Sequence, residues 1–420
     1  MPTGFRTLKP DSHKQVLTSI SNSMTKGSRL LSLDVMRGIT IAGMIMVNNP
    51  GSWGKIYAPL AHAQWNGLTP TDLVFPFFMF IMGVSMDFSL RKYDGKLSAD
   101  ALKKIIRRTI VIFAIGLGIA WFSKLCYGMF NIGNTEMSFG QRFLESVFPF
   151  KTIRILGVMQ RLALCYCGGA ILSLLIRQKY FLWTAFGILA AYTVILFLGH
   201  GFVLSEENII AVIDRAVIGV NHMYREYVPA TATTAATTIP FDPEGLLSTL
   251  PCIPHVMFGM FVGRIILKYK ENGERIQNMF IFGTILLFAG LLLSYGIPIN
   301  KKIWSPTFVL VTCGFGTQFL SFLIWIIDMK GKVAWSRFFE SFGINPLFMY
   351  VLGALLSVLF GSIRFWYDGA IISVKGFIYD IVLVPLLGAY PASLAFALLF
   401  VGFNWIIGYQ LYKRRIYIKI

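Results

Sequence analysis

The chain has 420 residues, of which 55% are hydrophobic and only 14% are charged. Soluble domains carry about 25% charged residues, so this composition excludes an ordinary water-soluble protein and predicts an integral membrane protein. The formal net charge of +18 does not indicate nucleic acid, because the basic residues lie in short stretches between apolar runs, as the positive-inside rule describes. We therefore expect the lipid bilayer as a partner and no nucleic acid.

The N-terminal residues 1–29 are polar, basic and rich in serine and threonine, and they lack the apolar core of a signal peptide. We expect a disordered cytoplasmic tail there, followed by a single transmembrane domain over residues 30–420. A bilayer core of about 30 Å needs about 20 apolar residues for each helix. Such runs predict an all-α, polytopic transmembrane helix bundle of about ten spans, near residues 31–48, 71–90, 104–123, 154–176, 180–200, 246–267, 278–296, 305–327, 340–360 and 391–411.

An eleventh candidate, residues 373–388, is shorter and carries Lys375 and Asp380. If it crossed the membrane, the basic C-terminal tail "KRRIYIKI" would lie outside the cell. Ten spans with both termini in the cytoplasm instead place most of the 38 Lys and Arg residues inside, so we predict an interfacial or re-entrant segment at 373–388. The two long loops, residues 124–153 and 201–245, are then extracytoplasmic and able to cap a cavity.

A polar cluster, "HAQWNGLTPTD", lies between the first two spans. His62 is its central candidate, because histidine alone has an ordinary pKa, about 6.5, that allows proton transfer near neutrality. The alternative is a structural histidine at the interface, with Trp65 as an aromatic-belt anchor. The polar neighbours Asn48, Asn66 and Asp72 favour a functional site, and a carboxylate beside the imidazole would fix its tautomer and raise its basicity.

Charged residues also occur within or at the ends of the spans. Asp34 and Arg37 are three residues apart and so share a helix face. They form a helix-terminal ion pair, or Arg37 offers its guanidinium to a phosphate. Arg161 lies inside a span, where a charge usually faces the protein interior, whereas snorkelling at a helix end accounts equally well for Arg264. Arg37, Asp34 and Arg161 are therefore the candidates for binding an anionic cofactor.

Two acidic residues, Asp242 and Glu244, stand just before the sixth span in "FDPEGLLSTLP". One interpretation is a helix start, with Asp242 as the cap and Pro243 at the first helical position. The other is functional, since carboxylates on the outer face suit the amine or hydroxyl groups of a sugar.

The remaining chemistry-bearing residues give weaker signals. The five cysteines are scattered, and Cys165 and Cys167 have no second pair, so we expect neither a metal site nor a disulfide framework. The sequence contains no Walker loop, nucleophile elbow, zinc-protease motif or dinucleotide fingerprint in the required context. From the residues alone, an enzyme and a transporter remain equally open.

Seven segments, in order from about residue 30 to the end, resemble the heparan-alpha-glucosaminide N-acetyltransferase family. They are "SLDVMRGITIAGMIMVNN", "HAQWNGLTPTDLVFPFFMFIMG", "RILGVMQRLALCY", "FDPEGLLSTLP", "IPINKKIWSPTFVL", "GINPLFMYV" and "LYKRRIYIKI". The resemblance implies a transmembrane acyltransferase that takes an acetyl group from cytoplasmic acetyl-CoA, without a metal, to the amine of a glucosamine-type sugar on the other face. The chain resembles bacterial members, so we expect the cell inner membrane, and dimers in the family suggest a homodimer.

The resemblance also implies roles for particular residues. The family's active-site histidine falls on His62 in "HAQWNGLT", where Gln64 replaces a serine of the family pattern. The family's asparagine after the first span falls on Asn48. We expect His62 to remove a proton from the attacking amine while Asn48 donates to the oxyanion, or His62 to accept the acetyl group itself. Asp72 completes the catalytic candidates, and the substrate-binding candidates are Asp242, Glu244, Trp65 and Asn66.

A second hypothesis is a sugar or glycolipid transporter, or a flippase, on the same scaffold, with His62 as a proton relay. It predicts substrate flux that does not depend on acetyl-CoA. The identity of the acceptor sugar and the choice between N- and O-acetylation stay open in the sequence.

Overall fold

The computed structural model describes residues 30–133, 137–228 and 236–418, and the predicted tail, 1–29, lies outside the described residues. The predicted all-α helix bundle is confirmed. Its helices are α1 (Leu31–Val47), α2 (Val74–Leu90), α3 (Ala99–Met129), α4 (Phe139–Val147), α5 (Val158–Leu175), α6 (Phe181–Leu198), α7 (Ile209–Ile218), α8 (Cys252–Lys268), α9 (Asn272–Leu293), α10 (Pro306–Leu323), α11 (Arg337–Gly343), α12 (Pro346–Ser362) and α13 (Ala389–Lys413).

The number of spans differs slightly from the expected ten. Eight of the described helices are long and apolar enough to cross a membrane, and a ninth results if Ala334–Gly343 and α12, which meet at a bend of 76°, form one broken span. The remaining predicted run is α1, whose 17 residues extend about 26 Å. This length lies at the lower limit for a membrane-spanning helix.

The segment predicted as interfacial or re-entrant is a short helix, in which a π-helical middle part, Phe377–Leu383, continues directly from Val374–Gly376 into Val384–Leu387. These pieces together comprise fewer residues than a membrane-spanning helix needs, and they end at Gly388, whose φ of 79° favours glycine. An antiparallel hairpin of β3 (Arg364–Tyr367) and β4 (Ala370–Ser373) precedes them.

The interior of the bundle is packed closely enough for helix backbones to touch. A Cβ on Gly83 of α2 would lie 2.2 Å from the carbonyl oxygen of Val256, and a Cβ on Gly259 of α8 would lie 2.2 Å from that of Phe80. Helices in a membrane associate through such small residues because lipid supplies no hydrophobic driving force between them. The α2–α8 pair therefore forms a rigid support beneath the loops at its end.

Successive long helices run in alternating directions. We call the end of the bundle at which α1 ends and α2, α5, α8 and α10 begin the His62 end, and the opposite end the Leu31 end. At the His62 end the long 201–245 connection contains α7 and a hairpin of β1 (Arg225–Val228) and β2 (Thr237–Pro240). A small apolar cluster fixes this connection to the bundle; its buried members are Tyr192, Leu196, Ile210, Ala211, Ile239, Phe241 and Ile303.

Candidate functional site

His62 and Asp72 meet at the His62 end of the bundle. Asp72 lies in the turn Pro70–Leu73 that opens α2, and its Oδ1 is 2.7 Å from the Nδ1 of His62. The backbone N–H groups of Ala63 and Thr69 both donate to Asp72 Oδ2 at 3.1 Å. The Asp72 side chain is 1% exposed and that of His62 is 39% exposed. A fixed, buried carboxylate thus orients an imidazole that is accessible from outside the protein.

Lys301 approaches the same pair from the loop between α9 and α10. Its Nζ lies 3.1 Å from His62 Nδ1 and 3.3 Å from Asp72 Oδ1. An ionised carboxylate only accepts hydrogen bonds, so the 2.7 Å contact requires a hydrogen on His62 Nδ1, and the ammonium of Lys301 then points to Asp72. This hydrogen-bond pattern assigns the tautomer. It leaves Nε2 of His62 with a lone pair that accepts a proton.

Lys301 is not among the residues predicted from the sequence, although it lies in the segment "IPINKKIWSPTFVL". Burial lowers the pKa of Lys301 below its usual value, and the carboxylates of Asp72 and Glu244 offset only part of this effect. A lysine in the loop before a helix start was the available signal. Its proximity to His62 depends on a contact across 239 positions of the chain, which local patterns do not reveal.

Trp65 and Asn66, the predicted sugar-binding residues, hold neighbouring loops in this structure. The indole Nε1 of Trp65 donates to the carbonyl oxygen of Phe202 at 2.9 Å. Asn66 Oδ1 accepts from Asn300 Nδ2 at 3.1 Å, and Asn300 Oδ1 accepts from the backbone N–H of Lys302 at 2.8 Å. These contacts position the lysine loop beside His62. A role in binding sugar stays a prediction.

Arg154 joins the two predicted acids, Asp242 and Glu244, in a second charged group. Its Nη2 lies 2.5 Å from Asp242 Oδ1 and 2.5 Å from Glu244 Oε2, and its Nε lies 3.1 Å from Asp242 Oδ2. Burial opposes the charge on Arg154, but Glu244 and Asp242 outweigh it and hold the pKa of the guanidinium above its usual value. Burial likewise opposes the charge on Glu244, whose pKa is nonetheless held below its usual value by Arg154 and Arg161.

The interpretation of Asp242 as the cap of the sixth span is wrong. Helix α8 begins only at Cys252, after a short turn over Leu247–Thr249. Asp242 instead accepts the backbone N–H groups of Glu244 and Tyr224 at 3.0 Å, in addition to its ion pair with Arg154. Asp242 therefore pairs with Arg154 and with nearby backbone N–H groups and does not cap the helix.

The three candidate cofactor residues do not lie together. Arg161 is 1% exposed at the start of α5, where its Nη2 donates to the carbonyl oxygen of Pro243 and to Ser248 Oγ. Arg37 is near the Leu31 end, where it pairs with Asp34 Oδ1 at 2.5 Å and donates to Ser85 Oγ. Arg161 thus lies beside the second charged group at the His62 end, because α5 runs opposite to α1.

Asn48, at the C-terminal end of α1, lines a cavity of about 340 Å³ between α1, α3, α5 and α12. Arg154 lines the same cavity, which we call the Asn48 cavity. Among the described residues the Asn48 side chain has no hydrogen-bond partner, so its amide is available to a ligand. Glu244 interacts electrostatically with Lys301, which lies beside His62, and with Arg154, which lines this cavity. These three charged side chains therefore lie between His62 and the cavity.

Within residues 30–133, 137–228 and 236–418, no group of three or more His, Cys, Asp or Glu side chains is placed to hold a metal ion. The fold and the contacts at the His62 end define a polytopic helical membrane protein with a histidine–aspartate–lysine site.

Sequence comparisons show the family. The profile described as "Heparan-alpha-glucosaminide N-acetyltransferase, catalytic" matches residues 29–297. The heparan-alpha-glucosaminide N-acetyltransferase of Homo sapiens is 30% identical over 371 residues, which are 77% of this chain and 52% of that protein. Its counterpart in Mus musculus is 28% identical over 375 residues, 78% of this chain and 53% of that protein. The chain belongs to this family and spans about half the length of these relatives.

Proposed function

We propose that this protein is a transmembrane acetyltransferase that moves an acetyl group from acetyl-CoA to the amine of a glucosamine-type sugar. The donor enters at the Leu31 end, which faces the cytoplasm, and the sugar binds at the His62 end. The protein resides in the inner membrane in this proposal, with both termini in the cytoplasm, and its molecular mass in detergent tests for a homodimer. The observation that carries it is the buried carboxylate of Asp72, 2.7 Å from an exposed imidazole, in a chain related to N-acetyltransferases.

The chemistry follows from the tautomer of His62. With Nδ1–H donated to Asp72, Nε2 accepts a proton from the sugar amine as its nitrogen attacks the thioester carbonyl. A C–N bond forms, the C–S bond breaks, and the proton passes from His62 to the departing thiolate of CoA. The Asn48 amide donates to the oxygen that becomes negative in the transition state.

A two-step route uses the same residues. His62 Nε2 then attacks the thioester, the C–S bond breaks, CoA leaves as its thiolate, and the acetyl group is held on the imidazole. In the second step the sugar amine attacks the acetyl carbonyl, the bond between the acetyl group and Nε2 breaks, and the freed Nε2 takes up the amine proton. Asp72 stabilises the positive charge of the acylated ring in this route. A trapped acetyl-enzyme supports the two-step route, whereas ternary-complex kinetics without such a species support direct transfer.

The length of the bundle suits a donor that reaches through it. Eleven residues separate Arg37 from Asn48 along α1, which at 1.5 Å per residue is about 16 Å. The pantetheine arm of acetyl-CoA is comparable in length when extended. A nucleotide held at the Leu31 end therefore allows a thioester in the Asn48 cavity.

The test uses proteoliposomes that contain the full chain, labelled acetyl-CoA on the Leu31 side and glucosamine on the His62 side. We expect labelled N-acetylglucosamine to form, His62→Ala to abolish it, and CoA still to raise the thermal stability of the His62→Ala protein. His200→Asn, which changes an exposed histidine outside the site, serves as the control and keeps its activity. Sugar flux without any dependence on acetyl-CoA would support the transporter hypothesis and overturn the proposal.

A further inference from the structure

A second cavity, of about 580 Å³, opens at the Leu31 end between the end of α2, the start of α3 and α5. We call it the cationic cavity, because its charged lining residues are all basic: Lys92, Lys104, Arg107 and Arg108. The neighbouring cavity, of about 870 Å³, differs because Asp87 and Asp94 lie among its basic residues. The cationic cavity thus combines space with a lining whose positive charges are not balanced by any acidic lining residue.

These four basic side chains are not neutralised by the protein. None of them makes an ion pair in the described part of the chain. Lys104 and Arg108 are four residues apart on α3, and like charges at this spacing repel each other. A bound anion removes this repulsion.

Aromatic rings stand beside the charges. The guanidinium of Arg108 lies 4.8 Å from the ring centroid of Tyr166, and Lys92 Nζ lies 5.1 Å from that of Tyr93. The Tyr93 hydroxyl is buried and has no hydrogen-bond partner among the described residues. The lining thus offers cations for phosphates, together with ring faces and a free hydroxyl for an attached heterocycle.

The cationic cavity and the Asn48 cavity share two helices. Arg108 lines the first and Gly116 lines the second; eight residues of α3 separate them, about 12 Å. On α5, Tyr166 and Gln160 line the two cavities in turn, six residues or about 9 Å apart. A flexible arm of this length connects a phosphorylated nucleotide in one cavity with an acyl group in the other.

We propose that the cationic cavity binds the phosphorylated nucleotide of the acyl donor, a 3′-phosphorylated adenosine diphosphate, through Lys92, Lys104, Arg107 and Arg108. This inference rests on the proposed function and assigns to these residues the role that the sequence analysis gave to Arg37, Asp34 and Arg161. The ammonium and guanidinium groups contact the diphosphate and the 3′-phosphate. The base lies against Tyr166 or Tyr93.

The experiment measures steady-state acetylation by the full chain in nanodiscs of zwitterionic lipid, with acetyl-CoA and with its dephospho analogue, which lacks the 3′-phosphate. Lys104→Gln and Arg108→Gln should each raise the KM for acetyl-CoA about tenfold, a loss of about 1.4 kcal/mol, with kcat unchanged within about twofold. The wild type should have a higher KM for the dephospho analogue than for acetyl-CoA. In the variant that has lost the side chain contacting the 3′-phosphate, the two KM values should be equal. Lys268→Gln, a cation of the neighbouring cavity, is the matched control and keeps the wild-type KM.

Direct binding distinguishes this inference from the proposed function. Adenosine 3′,5′-bisphosphate should raise the thermal stability of the wild type and of Lys268→Gln, and not that of Lys104→Gln. If the wild type acetylates glucosamine but the KM values of all variants are equal, the inference is wrong and the proposed function stands. If bisphosphate binds as expected but no sugar is acetylated, the proposed function fails.

A lipid headgroup is the other anion that these basic residues could bind. If phosphatidylglycerol in the nanodisc stabilises the wild type selectively over Lys104→Gln while acetyl-CoA kinetics do not change, the cavity is a lipid site and the inference is overturned.

Discussion

The Nδ1 of His62 lies 2.7 Å from Oδ1 of Asp72, and two backbone N–H groups hold the other carboxylate oxygen in place. The pair gives the imidazole one tautomer. Asp72→Asn should reduce turnover at least about 100-fold, because an amide that donates to Nδ1 moves the ring hydrogen to Nε2 and removes the base.

The measurement for this variant is kcat with saturating acetyl-CoA. A CoA-induced thermal shift of normal size shows that the bundle and the donor site are intact. Activity within about threefold of the wild type would show that Asp72 does not control the tautomer of His62.

Lys301 provides a second test of the site, through its charge. Lys301→Met should lower kcat about tenfold or more. The reason is that it removes the cation that lies beside Asp72 and that stabilises the negative charge developing on the thioester oxygen. Lys301→Arg retains part of the activity. Lys302→Met is the matched control, since its ammonium pairs with Glu226 at 3.1 Å, away from the imidazole. An equal loss in both methionine variants would mean that only the fold of the loop is affected.

The pH dependence of activity separates these lysine variants further. Because burial lowers the pKa of Lys301 from its usual 10.5, the wild type should lose activity on the alkaline side before a free lysine would titrate. The ammonium is present below its pKa and is lost as the pH rises through it. In Lys301→Arg, the alkaline limb of the kcat profile should move to higher pH, since a guanidinium stays protonated. An unchanged limb would exclude Lys301 as its cause.

The sequence was sufficient to predict the helices but only part of the site. Runs of about 20 apolar residues identify spans because the bilayer requires them, yet α3 (Ala99–Met129) extends beyond the predicted 104–123 at both ends, past Lys103 and Lys124. His62 and Asp72 are ten positions apart, and the structure brings them together. Arg154 reaches Asp242 across 88 positions, and such long-range pairs leave no local pattern.

Arg154 should be essential for the stability of the His62 end. Asp242 is fully buried and the Glu244 side chain is 18% exposed, so Arg154→Met leaves two carboxylates without their cation. We expect a loss of about 3–5 kcal/mol, as is typical when one partner of a buried ion pair is removed. Denaturation in detergent measures it, and Glu244→Gln in the same background should restore part of the stability. A double variant no more stable than Arg154→Met would contradict this account.

Asp214 makes the stability of the loops at the His62 end depend on pH. Its Oδ1 accepts from the backbone N–H of Leu246 at 2.8 Å, and burial, with a contribution from Asp242, raises its pKa from 3.8 to about 6. The folded state therefore binds the proton more tightly. The proton on Asp214 adds about 3 kcal/mol to the free energy of unfolding. This contribution is fully present below about pH 4 and is lost as the pH rises through 6. Asp214→Asn should remove this component of the unfolding profile between pH 4 and 7, and an identical profile in both proteins would refute the assignment.

The Asn48 cavity offers a steric test of the donor route. Ala120 on α3 lines it, and Ala120→Phe should fill part of its 340 Å³ with little loss of stability, because empty space is available. We expect acetyl transfer to fall by an order of magnitude or more while adenosine 3′,5′-bisphosphate still binds, since only the path between the nucleotide and His62 is narrowed. Ala114→Phe, on the exposed face of the same helix, adds the same side chain outside the cavity and should act like the wild type. Normal transfer by Ala120→Phe would show that the acyl donor reaches His62 by another route, because a phenyl ring and an extended thioester arm compete for the same volume.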